Sequence, residues 1–327
     1  GLGRGLVVDG VELLTVSGVQ IVNGRADEAN GRGGGILAFD SDVTLTDCVF
    51  AQNEAEFGGG VYVRGGGATV EGNQFFGNVA RYGGGLYLQR TPAIVQANSF
   101  ISNTAGIGGG GIRLYSSNSE ILQNEVLSNT AGLHGGGIYI TLGDLTVADN
   151  LLGYNQLATI DQGWGGGVHA AGLQTRIALL RNEVVGNMAA YGGGIRLFDV
   201  VAELDSNVLR QNSALFGGGL ALQGQTEGMI QNTAVIDNQS INQGAGVLVQ
   251  DGTVHFKQTT LARNGGSGEA LVVDGAPAVV TMQNSIFADH MVGVTKLNNS
   301  SQVLLESTLW DNNNVDTIGS VANIVTF

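Results

Sequence analysis

Residues 50–64 read FAQNEAEFGGGVYVR and residues 75–89 read FFGNVARYGGGLYLQ. Laid over one another, they agree at an opening Phe, at an Asn three residues later, at a Gly triplet and at the aliphatic residue that follows it. The triplet recurs in register at Gly33-Gly35, Gly58-Gly60, Gly83-Gly85, Gly109-Gly111, Gly135-Gly137, Gly165-Gly167, Gly192-Gly194 and Gly217-Gly219. Each leads into an aliphatic anchor: Ile36, Val61, Leu86, Ile112, Ile138, Val168, Ile195 and Leu220, with degenerate copies at Val247 and Leu271. Steps between anchors run 25, 25, 26, 26, 30, 27, 25, 27 and 24 residues, so one unit repeats with a single notable insertion. A fixed period of this size is the signature of a solenoid.

A second ladder runs in phase, an apolar residue followed three positions on by Asn. It places Asn53, Asn78, Asn103, Asn129, Asn155, Asn187, Asn212, Asn238 and Asn264 in equivalent positions, and Ile286 to Asp289 and Leu309 to Asn312 extend it to eleven rungs. Within a unit the residues alternate with period two, as in Ile138-Tyr139-Ile140 and Val43-Thr44-Leu45-Thr46, between Gly or Asn turns. Several short strands per repeat follow, with no room for a helix of about ten residues. The expected fold is all-β, a right-handed single-stranded parallel β-helix of about eleven coils of 25–26 residues. Residues 1–24 form a first coil, 25–312 the regular coils and 313–327 a C-terminal end, all one domain. At ~4.8 Å per coil, the rod would measure roughly 50 Å. The Asn positions suit bends with left-handed backbone, and their stacked side chains can hydrogen-bond one another along the rod.

Composition narrows the function classes. With 55 Gly but no every-third-residue period, and 43% hydrophobic content, the chain is neither collagen nor disordered. A net charge of −14 repels nucleic acid and anionic lipid, and no stretch approaches the ~20 apolar residues of a membrane span. Neither nucleic-acid binding nor membrane insertion is therefore expected. Cys48 is the only cysteine and takes the place that Asn73 and Asn98 hold in later coils, which reads as a substitution within a repeat rather than a nucleophile. No cofactor and no metal site is expected. The chain opens at Gly1 without a charged and apolar leader, which suggests a mature or excised portion of a longer product. The strand-rich ends raise the expectation that flanking parts cover them or that copies stack end to end into a filament.

The pairing of Phe-x-x-Asn at Phe50, Phe75 and Phe100 with Gly-Gly-Gly-Ile at Ile36 and Ile138 resembles the repeats of polymorphic outer membrane proteins and of bacterial parallel β-helix surface proteins. The resemblance spans roughly residues 15 to 312 and implies an extracellular or cell-surface passenger or stalk with an adhesive role. Pectate lyases and related polysaccharide-cleaving enzymes share the architecture without these motifs. An enzyme of that kind would need clustered carboxylates and a poised base, yet Lys257 and Lys296 are the only lysines.

The residues directly after the anchors form a stripe that should point outward: Leu37, Tyr62, Tyr87, Arg113, Tyr139, His169, Arg196, Ala221, Leu248 and Val272. Tyr faces and Arg forks can stack on and hydrogen-bond sugar rings, so Tyr62, Tyr87, Arg113, Tyr139, His169 and Arg196 are candidate glycan ligands. The same pattern also suits a sheet surface that merely covers itself. The insertion Gln156–Trp164 should bring His134 near Trp164, with Asp161 in the loop and His169 beyond, as a second candidate cluster.

Overall fold

The computed structural model describes residues 3–26, 31–159 and 161–324, so the extreme residues of both predicted ends and residue 160 of the insertion lie outside the described residues. Every strand pairing is parallel, and each strand pairs with its equivalents one coil below and above, as Leu86↔Val61 and Leu86↔Ile112 illustrate. The result is a right-handed parallel β-helix, the hand that parallel crossovers favour. A ladder of 12 strands runs its length from Gln20–Val22 to Leu309–Asp311, which makes twelve turns rather than about eleven, because the first coil already contributes a rung.

One coil shows the path. Val61–Arg64 leads through a bend at Gly65 and Gly66 into Ala68–Glu71, and both belong to the 23-stranded sheet as two side-by-side lanes. After a turn at Gly72 comes Gln74–Phe76 of the 12-stranded sheet, then Val79–Tyr82 of an 8-stranded sheet, and then the next triplet. In three central coils the bend between lanes opens, and single strands Ile138–Ala148, Val168–Leu180 and Ile195–Asp205 cross both lanes.

The alternation puts anchors inside. Ile36, Val61, Leu86, Ile112, Ile138, Val168, Ile195, Leu220, Val247 and Leu271 all have zero exposure and join one core that runs the length of the rod. Identical residues stack there: Phe75 lies between Phe50 at 4.9 Å and Phe100 at 4.5 Å, ring centre to ring centre. Stacking of equivalent side chains at the inter-strand spacing is what a strict repeat produces.

The Asn ladder is present and hydrogen-bonded rung to rung. Asn53 Nδ2 donates to Asn78 Oδ1 at 2.9 Å, and the same bond recurs up to Asn238 and Asn264 at 3.0 Å. Each rung's Oδ1 also accepts the backbone N–H of its equivalent one coil below, as Asn103 does from Asn78 at 3.0 Å and Asn53 from Gly24 at 2.8 Å. Two corrections apply. The left-handed backbone falls on the residue before each Asn, at Gln52, Gly77, Ser102 and their equivalents, and the Asn itself turns its amide inward. The upper end passes through His290 and Asn313, because Phe287 and Trp310 hold the core register, not Ile286 and Leu309. Asn312 instead is exposed and donates to Asp289 Oδ1 at 2.7 Å.

A second ladder flanks the other end of the same three-residue strands. Asn73, Asn98, Asn124, Asn150, Asn182 and Asn207 are linked in the same way, for example Asn98 Nδ2 to Asn124 Oδ1 at 3.0 Å. Cys48 closes its lower end, 1% exposed, with Sγ against the carbonyl of Thr46 at 3.2 Å and its N–H on Asn73 Oδ1 at 2.9 Å. Thr233, Thr259 and Ser285 continue it upward with hydroxyls.

The triplets are Gly for two reasons. The first of each has left-handed backbone, as Gly58 does at φ 63°. The second and third crowd the coil above: a Cβ on Gly59 would sit 2.6 Å from the carbonyl oxygen of Gly84, and one on Gly60 2.6 Å from that of Gly85.

Candidate functional site

The stripe leaves the coil interior as alternation requires, but it is not open to solvent. Tyr62 has zero exposure, Tyr87, Arg113, His169 and Arg196 are between 2% and 7% exposed, and only Tyr139 is half-buried. The expectation of an exposed binding face is thus corrected. What covers the stripe is a row the sequence places one residue before each triplet: Arg32, Phe57, Tyr82, Gly108, His134, Trp164, Tyr191 and Phe216, joined through bridges or strands in register. On the other side stand Phe39, Arg64, Gln89, Tyr115, Thr141, Phe198 and Gln223, two residues past the stripe. The stripe is therefore the floor of a trough with two rims, filled like a second small core by Leu37, Tyr62 and Tyr87 at its lower end.

Ring stacking runs along the rod. Phe57 and Tyr82 stack at 5.7 Å and 6°, and Tyr191 and Phe216 at 4.7 Å and 13°. Tyr62 meets Tyr87 edge-on at 5.3 Å, and its hydroxyl bonds Gln89 Oε1 on the rim. Most ring faces are thus used by neighbouring rings, so edges and polar tips are what the trough offers to a ligand.

The insertion does gather the second cluster. His134 lies 4.7 Å from Trp164, 4.8 Å from Tyr139 and 5.5 Å from His169, and Trp164 is 6.1 Å from His169. Asp161 does not join them: it is exposed in a turn, and among the described residues no hydrogen bond or ion pair ties it to the rings. The loop is pinned instead by Thr159 Oγ1 on the carbonyl of Gly132 at 2.8 Å.

Two guanidiniums bracket these rings. The Arg113 Cζ lies 3.9 Å from the Tyr139 ring centre, and its N–H groups donate to the carbonyls of Leu114 and Tyr139 and to Thr141 Oγ1. Arg196 lies against Trp164 at 4.8 Å and Phe198 at 4.7 Å, and its Nε donates to Gln223 Oε1 at 2.6 Å. Burial pushes Arg113 below its ordinary value and Arg196 down to about 10. Burial, then the positive fields of Arg113 and Arg196, drives His134 down to about 4, and burial followed by Arg196 holds His169 well below the usual range. Both histidines are therefore neutral at pH 7, and both keep a buried Nδ1 without a hydrogen-bond partner.

A separate groove of about 620 Å³, which the sequence reading did not single out, lies over the outer face of the second lane, lined by Asp42, Thr44, Thr69, Ile94, Glu120 and Thr146. Its only sequence signal is the register of Thr44, Thr69, Ile94, Glu120 and Thr146 in successive coils. Among the described residues no three or more His, Cys, Asp or Glu side chains cluster as metal ligands, and no helix is long and apolar enough to cross a membrane.

No curated protein matches the chain. The model of the family described as right handed beta helix region matches residues 4–184 and again 157–315, which together take in nearly all of the coils described above. With glycine triplets at the corners, paired polar ladders and a continuous aliphatic core, the chain belongs to the right-handed β-helix family.

Proposed function

We propose that this chain works outside the cell, or on its surface, as a structural and adhesive rod that holds glycans along the trough. The observation that carries this reading is the half-buried rim Phe57, Tyr82, His134, Trp164, Tyr191 and Phe216 beside the guanidiniums of Arg113 and Arg196. Amphipathic rings and fixed donors along an extended strip suit a repeating sugar chain better than a compact ligand. The resemblance of the Phe-x-x-Asn and Gly-Gly-Gly-Ile repeats to those of polymorphic outer membrane proteins supports the surface location and the adhesive role. Catalysis is a poorer reading, because no Asp or Glu stands in the stripe to act as one of a pair of acid and base.

The test is binding of the purified chain to an array of glycans, with a parallel assay for released reducing or unsaturated ends. Trp164→Ala combined with Tyr191→Ala alters the rim while leaving the fully buried floor residue Tyr62 in place. Binding by the parent chain, loss in the double variant and no released ends is the expected result. Absence of binding to every glycan would overturn the adhesive reading, and released ends would replace it with an enzyme.

A further inference from the structure

Seven of the twelve arginines stand in contrast: five beside carboxylates on the flanks, and two buried in the trough. Arg25, Arg81, Arg181, Arg210 and Arg263 stand on its flanks, and each meets a carboxylate of an adjacent coil: Glu54, Glu56, Asp149, Glu183 and Asp237, at 2.5 to 3.6 Å. These are solvent-facing pairs, the kind that contributes little to stability. Arg113 and Arg196, which are buried, meet no carboxylate among the described residues. The physical expectation is the reverse, since a desolvated cation needs a counter-charge more than an exposed one. Acid is not scarce in a chain with 28 Asp and Glu against 14 Lys and Arg, and where exposed Arg64, Arg90 and Arg176 also have no ion pair among the described residues, water solvates them, which burial denies to Arg113 and Arg196.

The two sites differ in what they leave free. Arg113 is largely occupied by neutral acceptors, with only Nε among its buried nitrogens unpartnered. Arg196 is held by the rings of Trp164 and Phe198, donates once to Gln223, and approaches His169 Nε2 through Nη1 at 3.5 Å, while among the described residues no bond is made by Nη2. Asp199 favours the charge of Arg196 from a distance, but its carboxylate accepts the N–H of Gln225 at 2.7 Å and lies outside ion-pair range. Of the six buried side-chain atoms without a partner among the described residues, three lie here: Arg113 Nε, His134 Nδ1 and His169 Nδ1.

We propose that the free edge of Arg196, held between Trp164 and Phe198 with His134 and His169 beside it, is an oxyanion site that takes the carboxylate or sulfate of an acidic sugar residue. This rests on the glycan reading above and narrows it from glycans in general to acidic ones. The ligand supplies the counter-charge that the chain withholds, and the planar guanidinium fork suits an oxyanion's two oxygens. The overall charge of −14 repels polyanions at long range, so capture depends on this local charge and strengthens as salt screens the remainder until the contact itself is screened.

The experiment measures binding of the full chain to dextran sulfate, to polygalacturonate and to uncharged dextran, for the parent, Arg196→Gln, Arg196→Lys and Arg81→Gln. The parent should bind at least one acidic polymer and not dextran, and the preferred polymer tells sulfate from carboxylate. Arg196→Gln should weaken binding about tenfold to a hundredfold, the worth of a charge-assisted hydrogen bond. Arg196→Lys keeps the charge without the fork and should fall between, which keeps the test open if the Gln variant fails to fold, and Arg81→Gln should bind as the parent does. Equal binding of acidic polymer by the parent and a folded Arg196 variant overturns the site. Binding of neutral glycans alone overturns the acidic narrowing and leaves the glycan reading standing, whereas binding of no glycan at all removes both.

Discussion

Changing Asn155 to Ala tests the polar ladder where it is best defined. Asn155 has zero exposure and sits mid-ladder: its Nδ2 donates to the Val126 carbonyl at 2.8 Å and to Asn187 Oδ1 at 3.0 Å, while its Oδ1 accepts from Asn129 N at 2.9 Å and Asn129 Nδ2 at 3.0 Å. Alanine removes these bonds and strands donors on Asn129 and acceptors on Val126 and Asn187. A buried unsatisfied group costs about 1–3 kcal/mol. Water entering the vacated space recovers part of that, so the expected loss is about 3–5 kcal/mol. Asn312→Ala is the control: it is exposed, with one bond to Asp289, and its left-handed backbone at φ 52° suits Asn better than Ala, so it should cost only about 1 kcal/mol. Urea unfolding followed by circular dichroism gives the two values, and hydrogen exchange should localise the Asn155→Ala damage to the coils on either side, since a solenoid is held by nearest neighbours. Equal costs for the two variants would refute the claim that the inward amides, rather than the sheets alone, hold the corners.

Three further outcomes follow from the same geometry. Phe75→Ala empties a site between two stacked rings and should cost about 3–5 kcal/mol by thermal or urea unfolding, with a cost below that of a surface change counting against the stacked core. Gly59→Ala places a methyl 2.6 Å from two carbonyl oxygens and should cost more than about 2 kcal/mol, whereas Gly3→Ala, with nothing within 4 Å of its Cβ, should be silent; the comparison of their melting temperatures checks it. Stability should fall with acid through the buried histidines: His134 titrates at about 4 when folded against about 6.5 unfolded, so the unfolded chain binds the proton first and stability drains away as pH falls from about 6.5 toward 4. His169 acts in the same direction, and after discounting for partial exposure His134 alone is worth about 1–2 kcal/mol. Flat unfolding free energy between pH 7 and 5, measured with urea, would contradict it.

The architecture was legible because two independent constraints repeat in phase. A crowded corner admits only Gly, and a buried turn admits few residues besides Asn. Where those constraints relax, the repeat no longer marks its own register. Ile286-Phe287 and Leu309-Trp310 are apolar doublets, so counting three residues to a polar one led to Asp289 and Asn312, whereas the core takes the second of each doublet and the ladder continues through His290 and Asn313. The second ladder was visible only through the equivalence of Cys48, Asn73 and Asn98, since Thr233, Thr259 and Ser285 replace Asn in its upper part.

The trough was half legible. Alternation places Tyr62, Arg113 and Arg196 outside the coil interior, but it is silent about what lies over them. The cover comes from the far end of each coil, yet it does leave a trace in the sequence: Phe57, Tyr82, His134, Trp164, Tyr191 and Phe216 each stand directly before a triplet. Because the triplet is a fixed corner, the residue before it must return to the same axial height as the stripe it faces. The approach of His134 to Trp164 followed from that equivalence of coils, whereas Asp161 lies in a turn that no repeat constrains.

Hydrogen exchange of the full chain with and without an acidic polysaccharide tests the central claim most directly, because it asks where on the rod a glycan rests. Protection confined to residues 161–170 and 191–198, the coils that carry Trp164, His169 and Arg196, is the predicted result. Protection over Thr44, Thr69 and Thr146 would place the ligand in the other groove, and no change anywhere on the rod would contradict glycan binding altogether.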